Sequence, residues 1–161
     1  MKKILFIVLM MLSFGVNVNA QMWRIFETKA DELKGTKASK DAMFVTEDFD
    51  ESCLIFGDEF LIALSTNKGI FDYDRINNLK YINVLVGYYV DDKLIDKDII
   101  EAYLSSDCMT AYIEQENYYT KIVNHLKTKG NIRFVIERYC DVDFDITLPM
   151  NKDLPMHKSL K

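Results

Sequence analysis

The chain has 161 residues, 49% of them hydrophobic and 12% aromatic, which is enough for the core of one domain and not of two. Its formal net charge of −5 argues against nucleic acids and anionic membrane surfaces as partners, because both attract basic patches. Neither quantity separates an enzyme from a binding module or an inhibitor.

The N-terminus has the pattern of a secretory leader. Two lysines precede the apolar residues 4–14, and Ala20 ends a small-residue cleavage site before Gln21. The apolar run is shorter than the roughly 20 residues of a membrane-spanning helix, so no span is expected in the mature chain. We expect residues 1–20 to be removed as a signal peptide. The mature protein, with a formal charge of −7 after loss of two lysines, is then soluble and periplasmic or secreted from a bacterium.

Short runs rich in aromatic and β-branched residues predict strands through the first two thirds of the chain. Gly57-Asp58-Glu59 has the length of a hairpin turn, and Gly69 ends a second turn that predicts a hairpin between residues 60–64 and 70–73. Gly87 indicates a bulge or kink in a long strand. Residues 98–104 fit either a helix or a strand. The predicted strands are residues 23–27, 43–45, 53–56, 60–64, 70–73, 81–90, 94–95 and 109–114.

One amphipathic helix is predicted over residues 117–129. Its apolar side chains recur at helical spacing, and Asn117 is placed to cap the first turn. Lysines in the last turn suit the negative end of the helix dipole. Gly130 is then expected to end the helix in the left-handed conformation.

After the helix the period changes to two. Apolar residues of one parity run from Ile132 to Leu148, interrupted only by Arg138. Such alternation predicts one long antiparallel strand with one face on the core and one in water, bent or bulged at Arg138.

These elements predict a mainly β (α+β) fold. We expect an antiparallel β-sandwich or barrel-like sheet of about eight strands, with a helix across one end or edge. Residues 21–149 form the single domain, and residues 150–161, with few apolar side chains, form a mobile tail.

The two ends of the mature chain resemble a known group of proteins. Trp23, the acid-rich loop Asp31-Glu32-Leu33-Lys34-Gly35, and the closing Phe144-Asp145-Ile146-Thr147-Leu148-Pro149 are similar in layout to small exported β-proteins of the invasion-associated locus B type and related envelope proteins. The resemblance implies a β-sandwich-like domain in the cell envelope. It carries over no catalytic residue, and the paired cysteines typical of such proteins are not evident here.

The cysteines and histidines are few. Cys53, Cys108 and Cys140 allow at most one internal disulfide and leave one free thiol, and the sequence does not choose the pair. A zinc site needs several His or Cys ligands at close spacing, and none is present. His125 lies at the border of the apolar helix face, so a Cys–His nucleophile pair would depend on a cysteine brought to it by folding.

A calcium site is one interpretation of Asp141, Asp143 and Asp145, because hard cations prefer several carboxylate oxygens. Ile146, however, stands where the loop of an EF-hand requires glycine. We therefore interpret the three acids as the solvated face of a strand, opposite basic residues of a neighbour. No metal or cofactor site is predicted, since the chain also lacks phosphate-binding and dinucleotide-binding glycine loops.

Tyrosines supply the remaining functional candidates. Tyr88 and Tyr89 are adjacent, so one of them must face away from the core of a strand, and Tyr139 lies on the solvated parity. We consider Tyr88, Tyr89 and Tyr139 as an aromatic interaction patch.

Three functions fit these observations. The first hypothesis is a non-catalytic binding module that recognises a protein or small ligand in the cell envelope. The second is a small hydrolase with a carboxylate or cysteine centre, for example Cys140 near His125. The third is an inhibitor that presents a hairpin loop such as Gly57-Asp58-Glu59 to an enzyme.

Overall fold

The computed structural model describes residues 22–29, 38–68, 71, 80–137 and 143–157. These residues form one curled, half-barrel sheet of nine antiparallel strands, together with one helix. The mainly β fold is therefore confirmed, in its barrel-like form. In chain order the elements are β1 Met22–Thr28, β2 Ser39–Val45, β3 Glu51–Ile55, β4 Ile62–Thr66, β5 Tyr81–Val90, β6 Lys93–Leu104, β7 Thr110–Ile113, α1 Glu116–Thr128, β8 Asn131–Ile136 and β9 Phe144–Leu148. The strands lie in the order β1-β2-β3-β4-β7-β6-β5-β8-β9.

The inner face of the sheet and one face of α1 form a single core. Alternate residues of each strand point inward, as the period of two requires. On β5 these are Val84, Val86 and Tyr88, all at most 1% exposed. The buried residues of α1 are Tyr119, Ile122, Val123, His125 and Leu126. The helix therefore fills the inside of the half-barrel.

The two ends of the strand order are bridged by side chains. The Trp23 indole Nε1 on β1 donates a hydrogen bond of 2.8 Å to the carbonyl oxygen of Pro149, just after β9. The same indole packs against Phe44, with ring centroids 5.4 Å apart. Phe71 and Phe144 make a perpendicular aromatic contact at 5.4 Å. These contacts hold the curled sheet in shape where no ladder joins its first and last strands.

The helix begins at Glu116, after Gln115, and not after the predicted cap Asn117. Gln115 makes no side-chain capping bond. The predicted left-handed stop at Gly130 is also wrong, since its φ lies outside that region. Glycine is needed there because a Cβ would lie 2.0 Å from the carbonyl oxygen of Tyr89. The helix end thus meets the end of β5 more closely than any other residue allows.

The long strand predicted after Gly130 is in fact a hairpin. β8 and β9 pair antiparallel from Ile132↔Leu148 to Ile136↔Phe144. A single strand of that length would project beyond its neighbours, whereas the hairpin pairs both halves. The apolar parity is the same in β8 and in β9, so periodicity did not reveal that they are two strands. Arg138 lies outside the described residues.

Other local predictions were resolved by strand pairing. The ambiguous residues 98–104 are part of β6, and the hairpin around Gly57 is confirmed by the β3–β4 pairing. The second hairpin is wrong as a pairing, because β3 and β7 occupy both edges of β4. Of residues 70–73 only Phe71 is described, and it is buried.

The β5–β6 register shifts between Tyr88 and Tyr89, close to the predicted bulge at Gly87.

The described part of the tail, which the sequence predicts to be mobile, is packed on the domain. Leu154 is 2% exposed and belongs to the core. Asn151 N–H donates to the Leu126 carbonyl at 2.8 Å, and Lys127 Nζ donates to the Lys152 carbonyl at 2.9 Å. The sequence suggested otherwise because one leucine among polar residues is a weak signal. Residues 158–161 lie outside the described chain, as does the predicted leader.

We expect Leu154→Ala to lower the free energy of unfolding by about 2–4 kcal/mol, because it leaves a cavity in the core. Asp153→Ala, at an exposed neighbouring position, is the matched control and should change stability little. Urea denaturation of both variants measures the effect. Equal midpoints for Leu154→Ala and the unmodified protein would mean that the tail does not contribute to the core.

Candidate functional site

The predicted tyrosine patch is not present as one surface. Tyr88 points into the core and is 1% exposed, whereas Tyr89 lies on the opposite face of β5 and is half-buried. Tyr139 lies outside the described residues. The Tyr89 ring covers Gly87, where a Cβ would lie 2.8 Å from the ring. Both described tyrosines therefore have structural contacts, and the proposed patch must be corrected.

Tyr88 belongs instead to a charged cluster at the rim of the core. Its hydroxyl donates to Asp98 Oδ2 at 2.8 Å, and Lys121 Nζ donates to the same oxygen at 2.7 Å. Lys121 also lies 2.9 Å from Asp96 Oδ2 and 4.4 Å from the centre of the Tyr88 ring. The cluster ties α1 to β5 and β6.

This cluster brings two carboxylates together, as a hydrolase centre would, but its electrostatics favour a structural role. Hydrogen bonds from Lys121 and from the backbone N–H of Lys97 lower the pKa of Asp96, which keeps the carboxyl ionised. Burial opposes the charge of Lys121, but its bonds to Asp98 and Asp96 outweigh this and raise its pKa. A general acid needs a raised carboxyl pKa, so Asp96 does not suit that task.

His125 is more buried than its predicted border position, at 5% exposure. Its Nε2 lies 3.0 Å from the Tyr89 carbonyl oxygen, and its ring packs perpendicular to Tyr88 at 5.3 Å. With Gly130 beside the same carbonyl, His125 joins the end of α1 to the end of β5. This is a structural position between two elements.

Cys53 and Cys108 are both buried free thiols, so they do not form a disulfide with each other. Complete burial raises the pKa of Cys53 well above its usual range, which keeps it in the unreactive thiol form. Cys140, the third candidate for a disulfide or a nucleophile, lies outside the described residues.

The acids of the C-terminal hairpin behave as a solvated strand face where they are described. Asp145 on β9 pairs with Arg133 on β8, with Arg133 Nε 2.7 Å from Asp145 Oδ1 and a second bond from Nη2 to Oδ2. Asp143 is exposed, and Asp141 is not described. Among the described residues, no group of three or more His, Cys, Asp or Glu side chains is placed to hold a metal ion.

The described residues line two open clefts at the surface. One, of about 490 Å³, is lined by residues of β2, β5, β8 and β9, among them Phe44, Tyr89, Arg133 and Asp145. Arg133 and Asp145 form an ion pair, so neither of these two charges is left unpaired in the cleft. The other, of about 610 Å³, lies between β2, the helix end and the tail, where Lys127 is bonded to the tail carbonyls. Neither cleft presents a combination of groups that suggests a reaction.

The loop Gly57-Asp58-Glu59 is braced by its surroundings. Gly57 is buried, its N–H donates to Asp41 Oδ1 at 3.0 Å, and a Cβ there would lie 1.9 Å from the Lys40 carbonyl oxygen. Only Glu59 of the loop is exposed. The loop is thus packed against β2 and the tail.

The outer face of the β5–β6 hairpin is where apolar surface concentrates. Eight large hydrophobic side chains of the described residues are exposed, and six of them belong to β5 or β6. Four share the outward parity and pair across the strands, Tyr81 with Tyr103 and Leu85 with Ile99. Their exposed fractions are 52%, 42%, 37% and 63% in that order. We call these four residues the outer β5–β6 face.

The sequence contained a signal for this face. Apart from Asn83, both parities of Tyr81–Val90 are without polar side chains of the amide or charged kind, which is typical of a strand that is covered on both sides. The core covers one side, and on the other side Leu85 and Tyr81 stay 37% and 52% exposed within the described chain.

Comparisons of the chain with protein-family models, curated proteins and solved structures find no match. Among the residues that the structure describes, no helix combines the length and apolar character needed to span a membrane.

The buried tyrosines predict a loss of stability at alkaline pH. Burial, with the hydrogen bond to Asp98, raises the pKa of Tyr88 above its ordinary value of 10.0, and burial raises that of Tyr119 in the same way. The folded state therefore retains these protons after the unfolded state has lost them. The stabilisation that these two tyrosines contribute is present in full below about pH 10. Above that pH the free energy of unfolding falls by up to about 1.4 kcal/mol per pH unit for each tyrosine.

Urea denaturation between neutral and strongly alkaline pH tests this. Tyr88→Phe and Tyr119→Phe should each flatten the alkaline decline, while Tyr81→Phe, at an exposed position, serves as the control. An unchanged slope in both buried-site variants would contradict the assignment.

Proposed function

We propose that the protein is an exported, non-catalytic binding module that docks a protein partner on the outer β5–β6 face. The observation that carries this proposal is the concentration of exposed apolar side chains on one hairpin. Monomeric soluble proteins rarely leave large contiguous apolar patches in water, and such patches mark interaction sites. Export is proposed from the leader pattern of residues 1–20.

The composition of the face suits a protein partner. Tyr81 and Tyr103 contact each other edge to face at 5.8 Å, so both rings are held in place before binding. Aromatic side chains of this kind are enriched at the centres of protein interfaces, because they bury much area and lose little entropy. Asn83 and Glu101 form the cross-strand pair between the two apolar pairs and supply polar groups for specificity.

The resemblance to envelope proteins of the invasion-associated locus B type is kept as part of this proposal. Trp23 and Pro149, from the two ends on which the resemblance was based, are in direct contact. This contact supports the interpretation of the ends as one structural unit. It assigns no ligand.

The docking face can be tested with two matched variants. Tyr81→Ser with Leu85→Ser removes half of the face, whereas Phe49→Ser with Met150→Ser removes exposed apolar side chains elsewhere. Both changes lie at the surface, so thermal denaturation should show little loss of stability. Each variant and the unmodified protein are immobilised and incubated with envelope extract.

We expect a partner captured by the unmodified protein and by the Phe49/Met150 variant, and a loss of at least about tenfold with the Tyr81/Leu85 variant. Equal recovery by all three would show that the face is not the docking site. An empty capture by the folded, unmodified protein would contradict a protein partner in that extract.

A further inference from the structure

β6 has a second feature that the outer β5–β6 face does not use. Every residue of β5 is paired with β6, in a ladder that runs from Lys93 to Tyr103 on β6. β7 pairs with β6 only at Tyr103 and Leu104. Within the described chain, no strand lies beside the remainder of this edge. The sheet is therefore open in its middle, beside β6, as well as at its ends.

The direction of the peptide groups along this edge follows from the hydrogen bonds at its end. Leu104 N–H donates to the Lys80 carbonyl at 2.8 Å, on the side of β5, and Ser105 N–H donates to Thr110 at 2.9 Å, on the side of β7. Peptide groups alternate sides along a strand, and the β5–β6 ladder is regular from Asp96 to Tyr103. The peptide groups of Lys97, Ile99 and Glu101 therefore face the open side.

Some of these groups already have partners. The Lys97 N–H bonds to Asp96 Oδ1 at 2.8 Å, and the Glu101 carbonyl accepts a bond of 2.9 Å from Gln115 Nε2. Both backbone groups of Ile99 face the open edge, and in the described chain no strand is paired with them there. An exposed strand edge of this kind is a template for a further strand.

We infer that the open edge of β6 pairs antiparallel with the same edge of a second copy of this chain, about a two-fold axis at Ile99. In this register each Ile99 N–H donates to the Ile99 carbonyl of the other copy. Each Glu101 N–H donates to the Lys97 carbonyl across the axis. In the same register each Lys97 N–H faces the Glu101 carbonyl of the other copy, so pairing displaces the Asp96 and Gln115 side chains that bind these two groups in the single chain.

Charge complementarity favours a second copy of this chain in this register. Pairing about Ile99 places Lys97 opposite Glu101 of the second copy, on both sides of the axis. A two-fold axis at Lys97 would place Lys97 opposite Lys97 of the second copy. An axis at Glu101 or at Asp98 would likewise place two carboxylates opposite each other. Opposite charges across strands stabilise a pair and like charges oppose it.

The geometry limits the assembly to a dimer. The same edge is used by both copies, so the contact is closed by its own symmetry and does not propagate. The register shift beside Leu94 and Ile95 ends the regular edge on one side, and the β7 ladder ends it on the other. Dimer formation goes beyond the proposed function, because Tyr81 and Leu85 remain exposed in the dimer and their faces become continuous.

Charge reversal tests the register. Sedimentation velocity of the purified protein over a wide concentration range should show a monomer–dimer equilibrium. Lys97→Glu and Glu101→Lys should each raise the dimer dissociation constant by about thirtyfold, since each change creates two like-charged pairs. The double variant, which exchanges the charges, should restore dimerisation. Dimerisation that is insensitive to both single changes would overturn the register.

Ile99→Pro tests the edge itself. Its N–H faces the open side, so proline removes no bond to β5 and is compatible with an edge position. Circular dichroism and thermal denaturation establish that the variant folds. We expect a folded monomer at every concentration. A monomeric unmodified protein, or an Ile99→Pro variant that still dimerises, would overturn the inference.

The Tyr81→Ser, Leu85→Ser variant separates this inference from the proposed function. It should dimerise normally and lose only the captured partner. A protein that remains monomeric but captures a partner through Tyr81 and Leu85 would overturn the dimer and leave the docking face intact.

Discussion

The close contact between the end of α1 and the end of β5 is the constraint on which the rest of the fold depends. The Tyr89 carbonyl oxygen lies beside both Gly130 and His125 Nε2. A Cβ on residue 130 would collide with that oxygen, so glycine alone lets the helix end there. Because Gly130 is followed directly by β8, the same contact sets the start of the strand that pairs with β5.

From this junction the order of the sheet follows. β5 is paired on one side with β6 and on the other with β8, so it is the strand through which the helix is tied to both. Lys121 extends the connection along the helix, since it binds Asp96 and Asp98 on β6. Charged contacts at exposed positions stabilise little by themselves. Their value here is positional, because they direct one face of α1 onto the inside of the half-barrel.

The helix inside the half-barrel also explains why the outside of β5 and β6 is left open. A curled sheet has one concave face, and α1 with the inward side chains fills it. The convex face has no second layer in the described chain, so Leu85 and Ile99 remain in water. A sequence with apolar residues at such positions bears a cost in solubility, which the docking that we propose would offset.

Periodicity in the sequence was sufficient for the helix and for most strands, because a face that packs on a core must repeat with the element. It failed between β8 and β9, because Ile136 and Phe144 have the same parity and the alternation therefore shows no break between the two strands. It failed again at Leu154, since one buried side chain has no period. Burial of Tyr88 rather than Tyr89 depends on the register of β5 with β6, which is a long-range property.

The open edge of β6 could not have been predicted from the local sequence at all. The sequence predicted a strand at residues 94–95 and left residues 98–104 open between helix and strand, and only the short β7 ladder shows that most of one side of β6 is unpaired. Edge strands in soluble proteins are protected by charges, bulges or short length. Here Lys97 and the shift beside Ile95 provide part of that protection, yet Ile99 interrupts it at the centre. An apolar residue flanked by a lysine and a glutamate at equal spacing is self-complementary under a two-fold axis. This makes the same edge unsuited to indiscriminate association and suited to a second copy of itself.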